Sequence, residues 1–345
     1  MQIGVDSFVP LAPFENPAER PARSAERVAR LLEEIETADR AGLDVFGVGE
    51  HHRPDSVDPA TVVLLAAAAA RTKNIRLTSA VTVLSADDPV RVFEQYATLD
   101  LISKGRAEIQ VGRGSFTEAF PLFGHSLDQY DDLFAEKLDL LLALRDNPVV
   151  TWEGKLRPSL KSQPVFPRPL QAQIPVWLAV GGTPESFARA GLLGLPLMIA
   201  VIGGEPRRFK PLVDLYRRAG AHAGHAPDTL KVGLHLFGYV ADTDGRARDE
   251  FWPGYVERVG TIGRERGWSP PSREAYDAQA GEHGAYIIGA PETVVEKIRR
   301  FDADLGGIDR IAFQMTNALL PHEKMLGALE MIGARVRPEL AGAKA

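Results

Sequence analysis

The 345-residue chain has no cysteine. That absence excludes a disulfide-stapled fold, thiol nucleophiles, iron–sulfur clusters and zinc–thiolate sites. Long apolar runs are also lacking. The most apolar stretch, Val62 to Ala70, is too short to span a bilayer and is closed by Arg71. Neither charge sign dominates. With 46 acidic and 40 basic residues the net charge is −6, which gives no general attraction to nucleic acid or to an anionic membrane. The opening MQIGVDSFVP lacks the basic and apolar regions of a signal peptide, so a cytoplasmic protein is expected. Short-period repeats and low-complexity tracts are absent. What remains, 45% hydrophobic and 25% charged, is the composition of a globular protein with a sizeable core.

Short β-branched runs alternate with amphipathic stretches along most of the sequence. Strands are expected over Ile3–Phe8, Asp44–Val48, Ile75–Val81, Ala107–Val111, Pro175–Val180, Leu197–Val201, Lys231–Tyr239 and Ile308–Met315. Helical spacing of apolar residues marks Ser24–Arg40, Val90–Ile102 and Phe134–Leu144. Pro59, Pro89, Pro184, Pro206 and Pro291 each suit the first turn of a helix. About eight strand–helix units predict an α/β protein, a (β/α)₈ TIM barrel, as one domain over 1–345. Two intervals are too long for a simple crossover. They predict an insertion at about 147–172, after the fourth strand, and a candidate lid at about 241–284, after the seventh.

Barrel enzymes carry their chemistry in the loops after the strands. There the chain has Asp6-Ser7-Phe8, Glu50-His51-His52-Arg53, Ser79-Ala80-Val81-Thr82, Gly112-Arg113-Gly114, Gly181-Gly182-Thr183-Pro184 and Ile202-Gly203-Gly204. Thr183 is a good N-cap and Pro184 a good first helical residue. The free N–H groups of such a helix start make a phosphate cradle, or simply an ordinary capped helix. Arg113, between two glycines after the neighbouring fourth strand, tips the balance toward a phosphate-bearing ligand. Glu50-His51-His52 admits three readings: a metal pair, an acid/base site or structural histidines. A metal is not expected, because Asp6 is the one further ligand at another strand end. His222 and His225 read as surface residues and His235 as a packed strand residue. Gly47-Val48-Gly49 and Gly112-Arg113-Gly114 both lack the third glycine of a dinucleotide fingerprint. VDSFVP offers no histidine pair of the kind a metal-dependent barrel hydrolase would need.

The segments FGVGEHHRPD, TSAVTVLSADDPVRVFEQYATLDLISKGRAEIQVGRGSF and PVWLAVGGTPESFARAGLLGLPLMIAVIGG resemble the bacterial luciferase-like flavin-dependent monooxygenase family. Their order and spacing match over nearly the whole chain. The resemblance implies a barrel binding FMN at its C-terminal face. Arg113 and Gly181-Gly182-Thr183 would hold the phosphate. Ser79-Ala80-Val81 would form the bulge under the isoalloxazine ring, with a cis peptide at Ala80–Val81. His51 would be the active-site histidine, a proton donor or shuttle, with Glu50 and His52 shaping its surroundings. The implied reaction has reduced FMN and O₂ form a C4a-peroxyflavin that oxidises a small organic substrate. Reduced FMN would come from a separate flavin reductase or from direct reduction by NAD(P)H, and a homodimer would pack through the helices after the second and third strands. Phe251, Trp252, Tyr255, Trp268 and Tyr276 would wall a substrate pocket under the lid or pack the lid onto the barrel.

Two departures limit the likeness to luciferase itself. Its reactive cysteine is Gly112 here, and Val180 stands where its catalytic subunit has an acidic residue after the fifth strand. Light emission is therefore not implied. The same family implies two alternatives, F420-dependent hydride transfer and non-catalytic flavin binding.

Overall fold

The structure, a computed structural model, describes residues 1–341; the last four residues of the expected 1–345 domain lie outside the described residues. Its strands are β1 (Gln2–Ser7), β2 (Val45–Val48), β3 (Arg76–Ser79), β4 (Thr82–Val83), β5 (Ile109–Gly112), β6 (Val149–Trp152), β7 (Leu160–Pro164), β8 (Val176–Val180), β9 (Leu197–Val201), β10 (Val232–Val240), β11 (Ile287–Gly289) and β12 (Arg310–Gln314). The helices are α1 (Arg20–Arg40), α2 (Thr61–Ala69), α3 (Pro89–Ser103), α4 (Ala119–Leu122), α5 (Tyr130–Asp146), α6 (Pro184–Leu192), α7 (Lys210–His222), α8 (Asp244–Arg266), α9 (Arg273–Ala280), α10 (Pro291–Leu305), α11 (His322–Met331) and α12 (Arg337–Ala341).

Parallel strands run in the order β3-β2-β1-β12-β10-β9-β8-β5-β4. β3 and β4 are two halves of one stave, interrupted at Ala80 and Val81, which are joined by a cis peptide bond. The sheet closes where Leu77 of β3 bridges Ala107, with Glu108 N donating to Leu77 O at 2.9 Å. Eight staves ringed by helices make the expected TIM barrel. Staves such as VWLAV and LMIAV are apolar without alternation because barrel filling covers one face and helices the other.

Local signals explain the helix boundaries. Asp88 caps α3 by accepting from Val90 N at 2.9 Å, with Pro89 at the first position. Pro59 differs from the expectation: α2 starts two residues later, at Thr61. Pro206 likewise opens a short 3₁₀ turn, and α7 follows at Lys210. Residues 147–172 carry the antiparallel β6–β7 hairpin.

Residues 241–284 are mostly the two helices α8 and α9. Their aromatics follow the packing alternative. Phe251 stacks on Tyr239 at 5.7 Å, Tyr255 and Tyr276 lie 4.8 Å apart, and Tyr255 and Tyr286 share a 2.9 Å hydroxyl bond. Trp252 sits 5.0 Å from Tyr276, while Trp268 stays half exposed. The chain then adds β11, an unanticipated strand on the outer end of β10.

Behind this excursion Lys297 is buried, and its Nζ donates to the carbonyls of Ala280 (3.2 Å), Gly281 (2.6 Å) and Tyr286 (2.6 Å). Burial pushes its ammonium down to about 7, with Arg300 and Arg248 adding repulsion. Between that value and the ordinary ~10.4 the native state binds fewer protons than the unfolded chain. This residue's contribution to stability therefore rises with pH across that window. Lys297→Met should flatten the difference in unfolding free energy between about pH 7 and about pH 9, measured in urea. Equal slopes in both proteins would contradict it.

Candidate active site

The C-terminal ends of the staves bring the sequence-marked residues to one mouth but not into one cluster. At the end of β2 the chain alternates direction. His51 is buried, with Nδ1 2.9 Å from Asp58 Oδ2 and its ring 4.7 Å from Phe8 and 5.2 Å from Phe116. Glu50 and His52 point elsewhere. Glu50 Oε2 accepts from Val83 N at 2.9 Å, and Glu50 Oε1 lies 3.3 Å from His52 Nε2. Both residues line a cleft of about 210 Å³ between α2 and α3, with Tyr96 and Phe123. Glu50 thus anchors β4 at Val83, and His52 meets Phe123 edge-on at 5.2 Å.

The bulge after β3 is braced from below. Ser79 Oγ donates to Gln110 O at 2.9 Å and accepts from Gln110 N at 3.1 Å, replacing ladder bonds that the interruption removes. Thr82 Oγ1 donates to Ser79 Oγ at 2.9 Å and lies 3.2 Å from the Tyr96 hydroxyl. Burial pushes that phenol up to about 12. Ser79 is fully buried, so its side chain holds the bulge; Ala80 is buried too, and Val81 is the partly exposed residue of the bulge. Val81 also accounts for Gly112: a Cβ there would meet Val81 Cγ2 at 2.8 Å. A cysteine at this position would need the Val81 side chain to shift.

Arg113 follows β5, and the β5–β8 register, Val111 opposite Leu178, sets it beside Val180 and the Gly181-Gly182-Thr183 turn. Its guanidinium lies over the Tyr130 ring at 5.4 Å and pairs with the exposed carboxylate of Asp131. An exposed pair of this kind contributes at most about 1 kcal/mol, so an incoming phosphate can share or displace it. Thr183 occupies the N-cap position of α6 in an extended conformation but, unlike the expected cap, makes no side-chain capping bond; Pro184 is the first helical residue. A Cβ on Gly181 would meet no atom within 4 Å. The turn is open to a ligand; at the start of α6 Pro184 has no N–H and Ser186 N donates to Thr183 O at 3.0 Å, which leaves the N–H of Glu185 without an intrahelical partner beside that space. An arginine, a free N–H group and an open cradle fit the phosphate of a flavin.

Two features were not foreseen. His235 Nδ1 lies 2.8 Å from Asp6 Oδ2, and Phe8 stacks 5.8 Å from His235, so Phe8 is flanked by two histidines. Alternation along β10 was the available signal: His235 is less buried than Leu234 and Leu236, and so belongs to the barrel-facing set. The second feature ties α8 to the loop carrying His51. Arg53 holds Glu265 at 2.6 Å, Asp55 at 3.0 Å and the Glu118 carboxylate, and Arg258 holds Asp55 at 2.8 Å. Arg53 and Arg266 lie 4.8 and 5.0 Å from the Phe116 ring, itself against His51. Among the described residues no group of three or more His, Asp or Glu is arranged to hold a metal.

A family model described as luciferase-like monooxygenase matches residues 7–307. Uncharacterized protein y4vJ of Sinorhizobium fredii is 27% identical over 64% of this chain, which spans 62% of that relative. The 3,6-diketocamphane 1,6-monooxygenase of Pseudomonas putida is 23% identical, covering 94% of this chain and 96% of its own. Among solved structures, monooxygenase RslO1 from Streptomyces bottropensis superposes with a TM-score of 0.83 at 24% identity, covering 99% of this chain and 100% of its own. The oxygenating constituent of 3,6-diketocamphane monooxygenase, in complex with FMN, gives 0.77 at 20% identity and 98% of each chain. An F420-dependent secondary alcohol dehydrogenase gives 0.75 at 18% identity and 98% of each chain. The structural matches establish the fold. The family model, reaching from the end of the first stave to the helix before the last, establishes that the chain belongs to the luciferase-like monooxygenase family.

Proposed function

We propose that the protein is an FMN-dependent monooxygenase that uses reduced flavin and O₂ to oxidise a small organic substrate. The observation that carries this reading is Arg113 beside the open Gly181-Gly182-Thr183 turn, a site for one terminal phosphate at the same barrel mouth as His51. Arg113 and the first turn of α6 bind and orient the phosphate. Ala80 and Val81, over Gly47 and Gly112, form the platform for the ring system. Reduced flavin, when bound, supplies the electrons that activate oxygen. His51 carries a proton at its imidazole, and α8, held down through Arg53 and Arg258, limits the entry of water. The reading includes a supply of reduced flavin, from a separate reductase or by NAD(P)H in place, and a homodimer packed through α2 and α3, where Val63, Leu101 and Ile102 are exposed.

The test is the affinity of Arg113→Ala for FMN. A charge-assisted bond to phosphate contributes about 1.5–3 kcal/mol, so affinity should fall by more than about tenfold. Unchanged affinity would remove Arg113 from the phosphate site.

A further inference from the structure

Asp58 is fully buried, and the side-chain partner of its carboxylate is His51. Its place in the sequence, just before Pro59 and α2, is that of a helix cap. Yet α2 starts after Ala60 without a side-chain cap bond, and Asp58 Oδ1 has no hydrogen-bond partner. The carboxylate is turned away from the helix toward the imidazole. Its neighbours are arranged around that contact. Thr61 Oγ1 donates to the carbonyls of Gly49 (2.5 Å) and Asp58 (3.2 Å), fixing both backbone segments. A Cβ on Gly49 would come within 2.8 Å of Asp58 Oδ2 and 2.9 Å of His51 Cε1, so glycine is required there for the pair to meet. Phe8 and Phe116 enclose the ring. An ionised carboxylate in such a place is costly unless its single partner repays it.

We infer that Asp58 is the positioning residue for His51: it holds the imidazole proton on Nδ1 and leaves Nε2 as the acceptor. A neutral ring so held accepts a hydrogen bond at Nε2. Once protonated there, it donates one, while Asp58 keeps its charge and stabilises the imidazolium. The catalytic use of this proton rests on the flavin reading above; the tautomer does not.

The experiment is ¹⁵N NMR of the histidine-labelled full chain near about pH 9, where an ordinary imidazole is neutral, with His51 assigned by loss of its signals in His51→Gln. The expected wild-type spectrum shows Nδ1 protonated and Nε2 bare. In Asp58→Asn the amide can donate to the ring, so the proton should move to Nε2, and Asp58→Glu should restore Nδ1–H. In parallel, oxidation of bound reduced FMN by O₂ should slow by about a hundredfold in Asp58→Asn, with FMN affinity unchanged. A wild-type ring protonated at Nε2, or a tautomer indifferent to Asp58→Asn, would overturn the inference even if a variant folds poorly. The expected tautomer in a protein that binds no flavin would support the positioning role and defeat the flavin reading instead.

Discussion

Replacing Glu108 with alanine should lower the unfolding free energy by about 3–5 kcal/mol, because it strands a buried guanidinium. Arg310 is 2% exposed, and its Nη1 and Nη2 meet Glu108 at 2.7 and 3.1 Å. Arg76 pairs with the same carboxylate, Gln2 Oε1 accepts from Arg310 at 2.9 and 2.7 Å, and the guanidinium lies 4.1 Å over the Trp177 ring. This network fills the end of the barrel opposite the candidate site, so its loss affects folding and not chemistry. Burial raises the Glu108 carboxyl, but Arg310 and Arg76 outweigh it and hold the group below the usual carboxylate range. Its stabilisation is therefore fully present above about 4.3, the ordinary value, and is lost as pH falls through the lower native one. Urea unfolding of Glu108→Ala at neutral pH checks the claim; a loss below about 1 kcal/mol would contradict the network's role.

Gly181→Asp should all but abolish FMN binding while leaving the fold intact. The space around Gly181 is empty to 4 Å and its backbone is not left-handed, so a small side chain fits without strain. A carboxylate there would face the phosphate. At ~4 Å and an effective dielectric of ~20 the repulsion is about 4 kcal/mol, roughly a thousandfold in affinity. Gly181→Asn, equal in reach and uncharged, is the control. Melting temperatures should agree among the three proteins. Affinity within about tenfold of wild type in Gly181→Asp would place the phosphate elsewhere.

The staves were legible because parallel strands buried on both faces read as continuous apolar runs, and the cradle because Gly181-Gly182-Thr183-Pro184 is a local signal. Side-chain direction in irregular loops was not legible. Adjacent in sequence, Glu50, His51 and His52 divide between two sides of the loop, and the true partner of His51 is Asp58, disguised as a helix cap. Asp6 and His235 lie far apart in the sequence and meet because β1 and β10 both flank β12 in the barrel. The aromatics of α8 and α9 stood out in the sequence, but whether they face a ligand or one another depends on how the helices seat. They pack against β10, β11 and each other.

The most direct measurement is an anaerobic titration of the purified protein with FMN, reduced FMN and F420, followed by air. A mouth built around Arg113 and the α6 start predicts tight binding of reduced FMN, weaker binding of F420, and oxygen uptake once air is admitted. Preference for F420 with no reaction with oxygen would contradict the monooxygenase reading, and binding of none of the three would contradict the phosphate site itself.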